Sequence, residues 1–182
     1  HRKLAAHFAK ALGVTSLVLD YRLAPENPYP AQIHDAIAVY KALLQQGVKP
    51  KNITTIGDSA GGNLAISSVL KMRELKLPLP GAVIAMSPWL DMETTGASLE
   101  SNAATDALVG KELLAAMAGM FLGESGKAND PLANPLYADY TDYPPLYITA
   151  GSVEALLDDS GRLHTKAEKA GVNICLSVVE GM

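Results

Sequence analysis

The sequence predicts an α/β domain, a mostly parallel sheet with helices on both faces. Three observations carry that prediction. Short apolar, β-branched runs alternate with longer runs whose apolar residues recur at helical spacing. Glycines at 13, 47, 123 and 171 stand where the helical runs stop. The first β-like run, Val14 to Asp20, is almost continuously apolar, the composition of a strand covered on both sides.

Taken in order, residues 2–12 place Leu4, Phe8 and Leu12 on one helical face. After the strand predicted over Val14–Asp20 come Pro25, Pro28 and Pro30, which forbid regular structure and fix a rigid loop. Asp20, Arg22, Glu26 and Asp35 bracket this loop and read as a structural ion-pair network. A helix over 31–46 carries Ile33, Ile37, Tyr40 and Leu44 as its apolar stripe. A strand over Ile53–Ile56, a helix to about Leu75 and a strand over Ala82–Ser87 follow. Residues 88–143 then interrupt the alternation, with one helix over about 111–122. An excursion leaving the carboxyl end of a strand is well placed to cover a site there. A fourth strand at Leu146–Ala150, a helix over about 159–170 and a fifth strand at Asn173–Glu180 complete the pattern, so long alternation over 1–182 reads as a single domain.

Composition narrows the function. Of 182 residues, 48% are hydrophobic and 19% charged, the balance of a compact globular protein. The net charge of −4 and the lack of a basic cluster argue against nucleic acid and anionic membrane as partners. No apolar run approaches the length of a membrane span, and no secretory signal is visible, so the expected location is cytoplasmic. Cys175 stands alone, which excludes an intramolecular disulfide and a cysteine-based metal site. Its alternating apolar context predicts a buried thiol.

The chemistry is concentrated in Ile53-Thr54-Thr55-Ile56-Gly57-Asp58-Ser59-Ala60-Gly61-Gly62-Asn63. This is a β-rich run, then Gly-x-Ser-x-Gly, then an apolar run of helical period. A serine at such a strand-to-helix corner has its hydroxyl pushed out over the end of a sheet. Gly57 and Gly61, lacking a Cβ, are expected to let the strand and helix approach. The helix start supplies free N–H groups and partial positive charge, with the Ala60 N–H as an oxyanion donor. No phosphate-loop or dinucleotide glycine spacing accompanies the motif, so Ser59 reads as a nucleophile.

Tyr21-Arg22-Leu23-Ala24-Pro25-Glu26 and Gly57-Asp58-Ser59-Ala60-Gly61-Gly62 resemble motifs of the hormone-sensitive-lipase-like esterases, the bacterial family IV carboxylesterases of the α/β-hydrolase superfamily. Ser87-Pro88-Trp89 with Asp91, Asp130-Pro131-Leu132-Ala133-Asn134-Pro135 and Glu154-Ala155-Leu156-Leu157-Asp158-Asp159 resemble it as well, in the family's order. The resemblance implies an α/β-hydrolase fold and hydrolysis of short-chain carboxylic esters without a cofactor or metal. It also implies an oxyanion loop, His-Gly-Gly-Gly, preceding the first helix, and a catalytic histidine just after a Gly-Met pair like Gly181-Met182. The sequence is therefore expected to be an internal piece of a longer protein, one domain incomplete at both ends. A homodimer through the last strand is a further implication, as is an alternative class: a hormone-receptor-like member that binds a small molecule and lacks the histidine.

Acyl transfer needs a nucleophile, a base, an acid that orients the base, and oxyanion donors. In this fold the acid follows the serine and lies beyond a later strand, which points to residues 151–159. Glu154, in the loop after Ala150, is the first choice, and Asp158 the second, since carboxylates at a helix start commonly act as caps. His1, His7, His34 and His164 all fall on helices and read as surface or packing residues, so none is assigned as base. Trp89, leaving a strand at the catalytic end, is a candidate wall of the acyl pocket as much as a core aromatic. Met117, Met120 and Phe121 read chiefly as packing residues. Asp58 is expected to point away from Ser59.

Overall fold

A computed structural model describes residues 1–182. Four strands, β1 (Thr54–Asp58), β2 (Ala82–Met86), β3 (Leu146–Gly151) and β4 (Ile174–Val179), form one sheet in the order β1-β2-β3-β4. Every pairing is parallel. The helices are α1 (Arg2–Leu12), α2 (Ala31–Gln45), α3 (Ala60–Glu74), α4 (Ser98–Ser101), α5 (Lys111–Leu122) and α6 (Leu157–Lys169). With all strands pointing one way, every strand delivers its following loop to the same edge of the sheet.

The main core explains the order of the elements. Ile33, Ile37 and Tyr40 of α2 meet Ile66, Val69, Leu70 and Met72 of α3, which in turn cover Val83 and Ala85 of β2. Leu146 and Ile148 of β3 and Leu163 and Ala167 of α6 continue the same cluster. Its buried hydroxyls are satisfied: Tyr40 donates to the Pro78 carbonyl at 2.7 Å and Tyr143 to that of Ile66 at 3.0 Å. A second core lies under the 88–143 excursion. It joins Trp89, Met92, Leu99, Leu114 and Ala118 to Ala155 and Leu156, the residues that follow Glu154. Met117 and Phe121 pack against it, whereas Met120 faces solvent. The excursion is thus fastened by apolar contact to the loop expected to carry the acid.

Four expectations need correction or refinement. Val14–Asp20 is extended but is not a strand: none of residues 15–21 donates a backbone–backbone hydrogen bond. Val14, Leu17 and Val18 are more than half exposed. Strand composition alone does not make a strand, because the structure requires a ladder partner and β1 pairs only with β2. Cys175 is exposed, not buried. It sits in a row with Ile56, Ile84 and Tyr147, which register places side by side on one face of the sheet. Helical cover is uneven for the same reason: Ile56 and Tyr147 in that row stay exposed, while Val83, Ala85, Leu146 and Ile148 on the other face are buried. Of the four residues around the proline loop, only Arg22 and Asp35 pair, through a two-pronged contact with guanidinium nitrogens 2.8–3.1 Å from the carboxylate.

Candidate active site

The corner between β1 and α3 is built by close backbone approach. A Cβ at Gly57 would lie 2.1 Å from the Gly61 carbonyl oxygen, and one at Gly62 would lie 2.9 Å from the Pro88 Cβ. Gly61 itself faces open space, so the steric role expected of it belongs to Gly62. Ser59 takes φ 52° and ψ −120°, a conformation that costs a non-glycine residue about 1–3 kcal/mol. The surrounding bonds hold it there: its N–H donates to the Met86 carbonyl at 3.0 Å, and its carbonyl accepts from Asn63 and Trp89 N–H groups at 3.2 and 3.1 Å. Ala60 is exposed and is the first residue of α3, so its N–H has no acceptor within the helix. Asp58, beside the serine, pairs with His1 at 3.3 Å.

The bonds at the top of the sheet continue the ladder one step past each strand. Ser87 donates its N–H to Thr149 at 2.7 Å, and Ser152 donates to Val179 at 3.0 Å. Ser59 and Ser87 therefore leave the sheet at one level, β3 runs two residues further to Ser152, and Glu154 follows in the loop beyond it. The Ser87 hydroxyl donates to Glu154 Oε2 at 2.8 Å. The other carboxylate oxygen, Oε1, is buried with no hydrogen-bond partner. Ser87 has a positive φ of 41°, a second strained serine beside the first. Sequence reasoning gave Ser87 no role of its own; only the register of β2 against β1 and β3 reveals it.

Asp158 and Asp159 have different duties. Asp158 Oδ2 accepts the Ser98 N–H at 3.0 Å, anchoring α4. Asp159 is 4% exposed, and its Oδ2 accepts from the Leu90 and Asp91 N–H groups at 2.7 and 3.0 Å. Asp91 is buried too; it accepts from Thr95 and from Arg162 at 2.7 Å. Burial opposes the charge on Asp91, but hydrogen bonds from Thr95 and Arg162 prevail and hold its carboxyl down at about 2. For Asp159 burial prevails over its backbone donors, with the Asp91 charge adding to it, and the carboxyl is pushed up to about 6.

Trp89 is 4% exposed and belongs to the second core. Its carbonyl accepts from Asn63 Nδ2 at 3.0 Å, while its buried Nε1 has no acceptor. Asn63 also reaches the Ala133 carbonyl at 2.9 Å, so one buried amide ties the serine corner to the excursion at two points. The residues hold no cluster of metal-ligating side chains, and no helix is long and apolar enough to cross a membrane.

A family described as alpha/beta hydrolase fold matches residues 1–182. The chain is 41% identical over 182 residues to an esterase of Acinetobacter venetianus, covering all of this chain and 60% of that protein. It is 40% identical over 174 residues to an acetyl-hydrolase of Streptomyces hygroscopicus, covering 96% of this chain and 58% of the relative. Among solved structures, an esterase from the bacterial hormone-sensitive lipase family superposes with a TM-score of 0.98 at 45% identity, over all of this chain and 61% of that one. The chain thus spans about three-fifths of the length of the relatives it matches. Motifs, parallel sheet and strained serine corner agree with these likenesses, and the chain belongs to the α/β-hydrolase fold family, in its hormone-sensitive-lipase-like branch.

Proposed function

We propose that the intact protein is a serine carboxylesterase acting on short-chain esters. Ser59 Oγ attacks the ester carbonyl and gives its proton to a histidine base. The tetrahedral oxyanion that forms is met by the Ala60 N–H at the positive end of α3. Collapse expels the alcohol, which takes the proton, and leaves an acyl-enzyme on Ser59. Water, deprotonated by the same histidine, then releases the carboxylic acid. Glu154 orients that histidine and balances its charge, and the proposal places the base outside residues 1–182. Trp89, held against Ser59 by a backbone bond, is assigned to the acyl side of the pocket.

One observation carries this reading: a serine held at φ 52° on the same sheet edge as a carboxylate whose Oε1 is buried and unpartnered. Such an oxygen suits an N–H donor from an imidazole. The relatives' hydrolase names favour ester cleavage over a receptor-like role. The decisive measurement is hydrolysis of p-nitrophenyl acetate by the intact Ser59→Ala protein. A loss of kcat on the order of 10⁵-fold, with cooperative unfolding unchanged, is expected; retention of most of the rate ends the assignment.

A further inference from the structure

The loop that carries Glu154 is held by side chains from residues 98–106 that no motif singles out. Four successive carbonyls each accept from that segment. Asn102 Nδ2 donates to Ser152 at 3.4 Å and to Glu154 at 2.9 Å. Thr105 Oγ1 donates to Val153 at 2.8 Å, and Ser98 Oγ to Ala155 at 2.7 Å. In the opposite direction, the Ala155 N–H donates to Asp106 Oδ2 at 2.8 Å. Asp106 is itself fixed, since its Oδ1 accepts from the Leu108 and Val109 N–H groups at 2.9 Å. Burial opposes the charge on Asp106, but these three N–H donors outweigh it and hold the carboxyl below its usual range.

Backbone bonds hold only part of this loop. The Ser152 and Val153 N–H groups donate to the Val179 and Met182 carbonyls at 3.0 and 2.8 Å, and the Glu154 carbonyl accepts from Leu157 at 3.3 Å. The carbonyls of Ser152, Val153 and Ala155 have no backbone donor and depend on the 98–106 side chains. The side chain of Glu154 hangs from this backbone, and a shift of about 1 Å at a catalytic group can cost on the order of 10²-fold in rate. We propose that Asn102, Thr105 and Asp106 are positioning residues, a strap that sets the Glu154 carboxylate by gripping the peptide groups on either side of it. The proposal rests on the reading of Glu154 as the acid that orients the catalytic base. It gives the 88–143 excursion a second task besides cover: the acid is aligned by the excursion, and alignment is lost when the strap lets go.

The test uses the intact protein and p-nitrophenyl acetate. Thr105 is exposed, so Thr105→Val removes one hydroxyl at little risk to folding, and Thr105→Ser restores it. Asn102→Leu removes both bonds to the loop, together with the exposed one that Asn102 Oδ1 accepts from the Ser101 hydroxyl, at similar volume. Thr105→Val and Asn102→Leu are each also placed on a Glu154→Gln background. The strap predicts a fall in kcat of about fivefold for Thr105→Val and about tenfold for Asn102→Leu, with KM within about twofold. Thr105→Ser returns kcat to within about twofold of the parent, and neither strap substitution slows the Glu154→Gln protein further. Parental kcat in a folded Thr105→Val protein overturns the proposal. So does an equal loss in both backgrounds, the mark of a general structural role. If Asn102→Leu does not fold, Thr105→Val and Thr105→Ser decide alone. A Glu154→Gln protein that keeps the parental rate refutes the assignment of the acid itself, and the strap falls with it by a separate result.

Discussion

Glu154 and the pair Asp158–Asp159 lie on one short stretch, yet the molecule treats them in opposite ways. Asp158 and Asp159 receive backbone N–H groups from Ser98, Leu90 and Asp91, partners that cannot rotate away. Glu154 receives only the hydroxyl of Ser87, and its second oxygen is buried without a donor. A buried acceptor left unpaired costs about 1–3 kcal/mol, so folding alone gives no reason to keep it. Asp158 and Asp159 each spend one oxygen on backbone N–H groups, whereas Glu154 alone of the three keeps a buried oxygen with no donor, the capacity that its proposed role would use.

The sharpest way to break that contrast is to neutralise each carboxylate in turn. Glu154→Gln preserves the shape and can still accept from Ser87, but it removes the charge proposed to stabilise an imidazolium. We expect kcat for p-nitrophenyl acetate to fall by about 10³–10⁴-fold with unfolding unaffected. Asp158→Asn should leave kcat within about threefold. Comparable losses from the two substitutions would erase the distinction between them.

A smaller effect tests the one partner Glu154 has. Ser87→Ala deletes a bond to a charged acceptor, a type worth about 1.5–3 kcal/mol, and kcat should drop about 30-fold while KM holds. Because Ser87 has φ 41°, backbone strain could confound the result. Ser87→Gly separates the two, since glycine tolerates that φ but still lacks the hydroxyl. If Ser87→Gly is as active as the parent, the hydroxyl does not act on Glu154.

Much of this contrast was legible in the residues, and the rest was hidden for definite reasons. The Gly57–Gly62 corner carries its own steric logic, so the serine and the start of α3 followed from local sequence. Helices α2, α5 and α6 likewise announced themselves by period and by the glycines behind them. Gly61 and Gly62 were exchanged in role because only packing against Pro88 distinguishes them. Val14–Asp20 has a strand's composition, but pairing is a property of two segments and cannot be read from one. Cys175 was misplaced for a related reason: alternation predicts which residues share a face, not whether that face is covered. Asn102, Thr105 and Asp106 left no signal, being polar residues in a polar stretch whose partners lie about 50 positions onward.

The smallest expected effect concerns stability, and its sign follows from the direction of each shift. Asp159 in the fold titrates near 6, above its usual 3.8, because burial outweighs its N–H donors and Asp91 adds repulsion. Its folded pKa is raised, so its stabilising contribution is full below about pH 4 and is lost as pH climbs through 6. Asp91 is the reverse: held at about 2, it contributes above pH 4 and loses that contribution as pH falls toward 2. Asp159→Asn keeps an oxygen for the Leu90 and Asp91 N–H groups and removes the titration. Relative to the parent, the variant should therefore gain on the order of 1 kcal/mol as pH rises from 4 to 7, read by urea unfolding of the intact protein at each pH. Its kcat near neutral pH should stay within about threefold of the parent. An unchanged stability difference across that range would mean that Asp159 ionises as freely folded as unfolded. A large loss of kcat would mean that the two ends of this stretch are not functionally separate, since Asp159 would then be acting on the reaction as Glu154 is proposed to do.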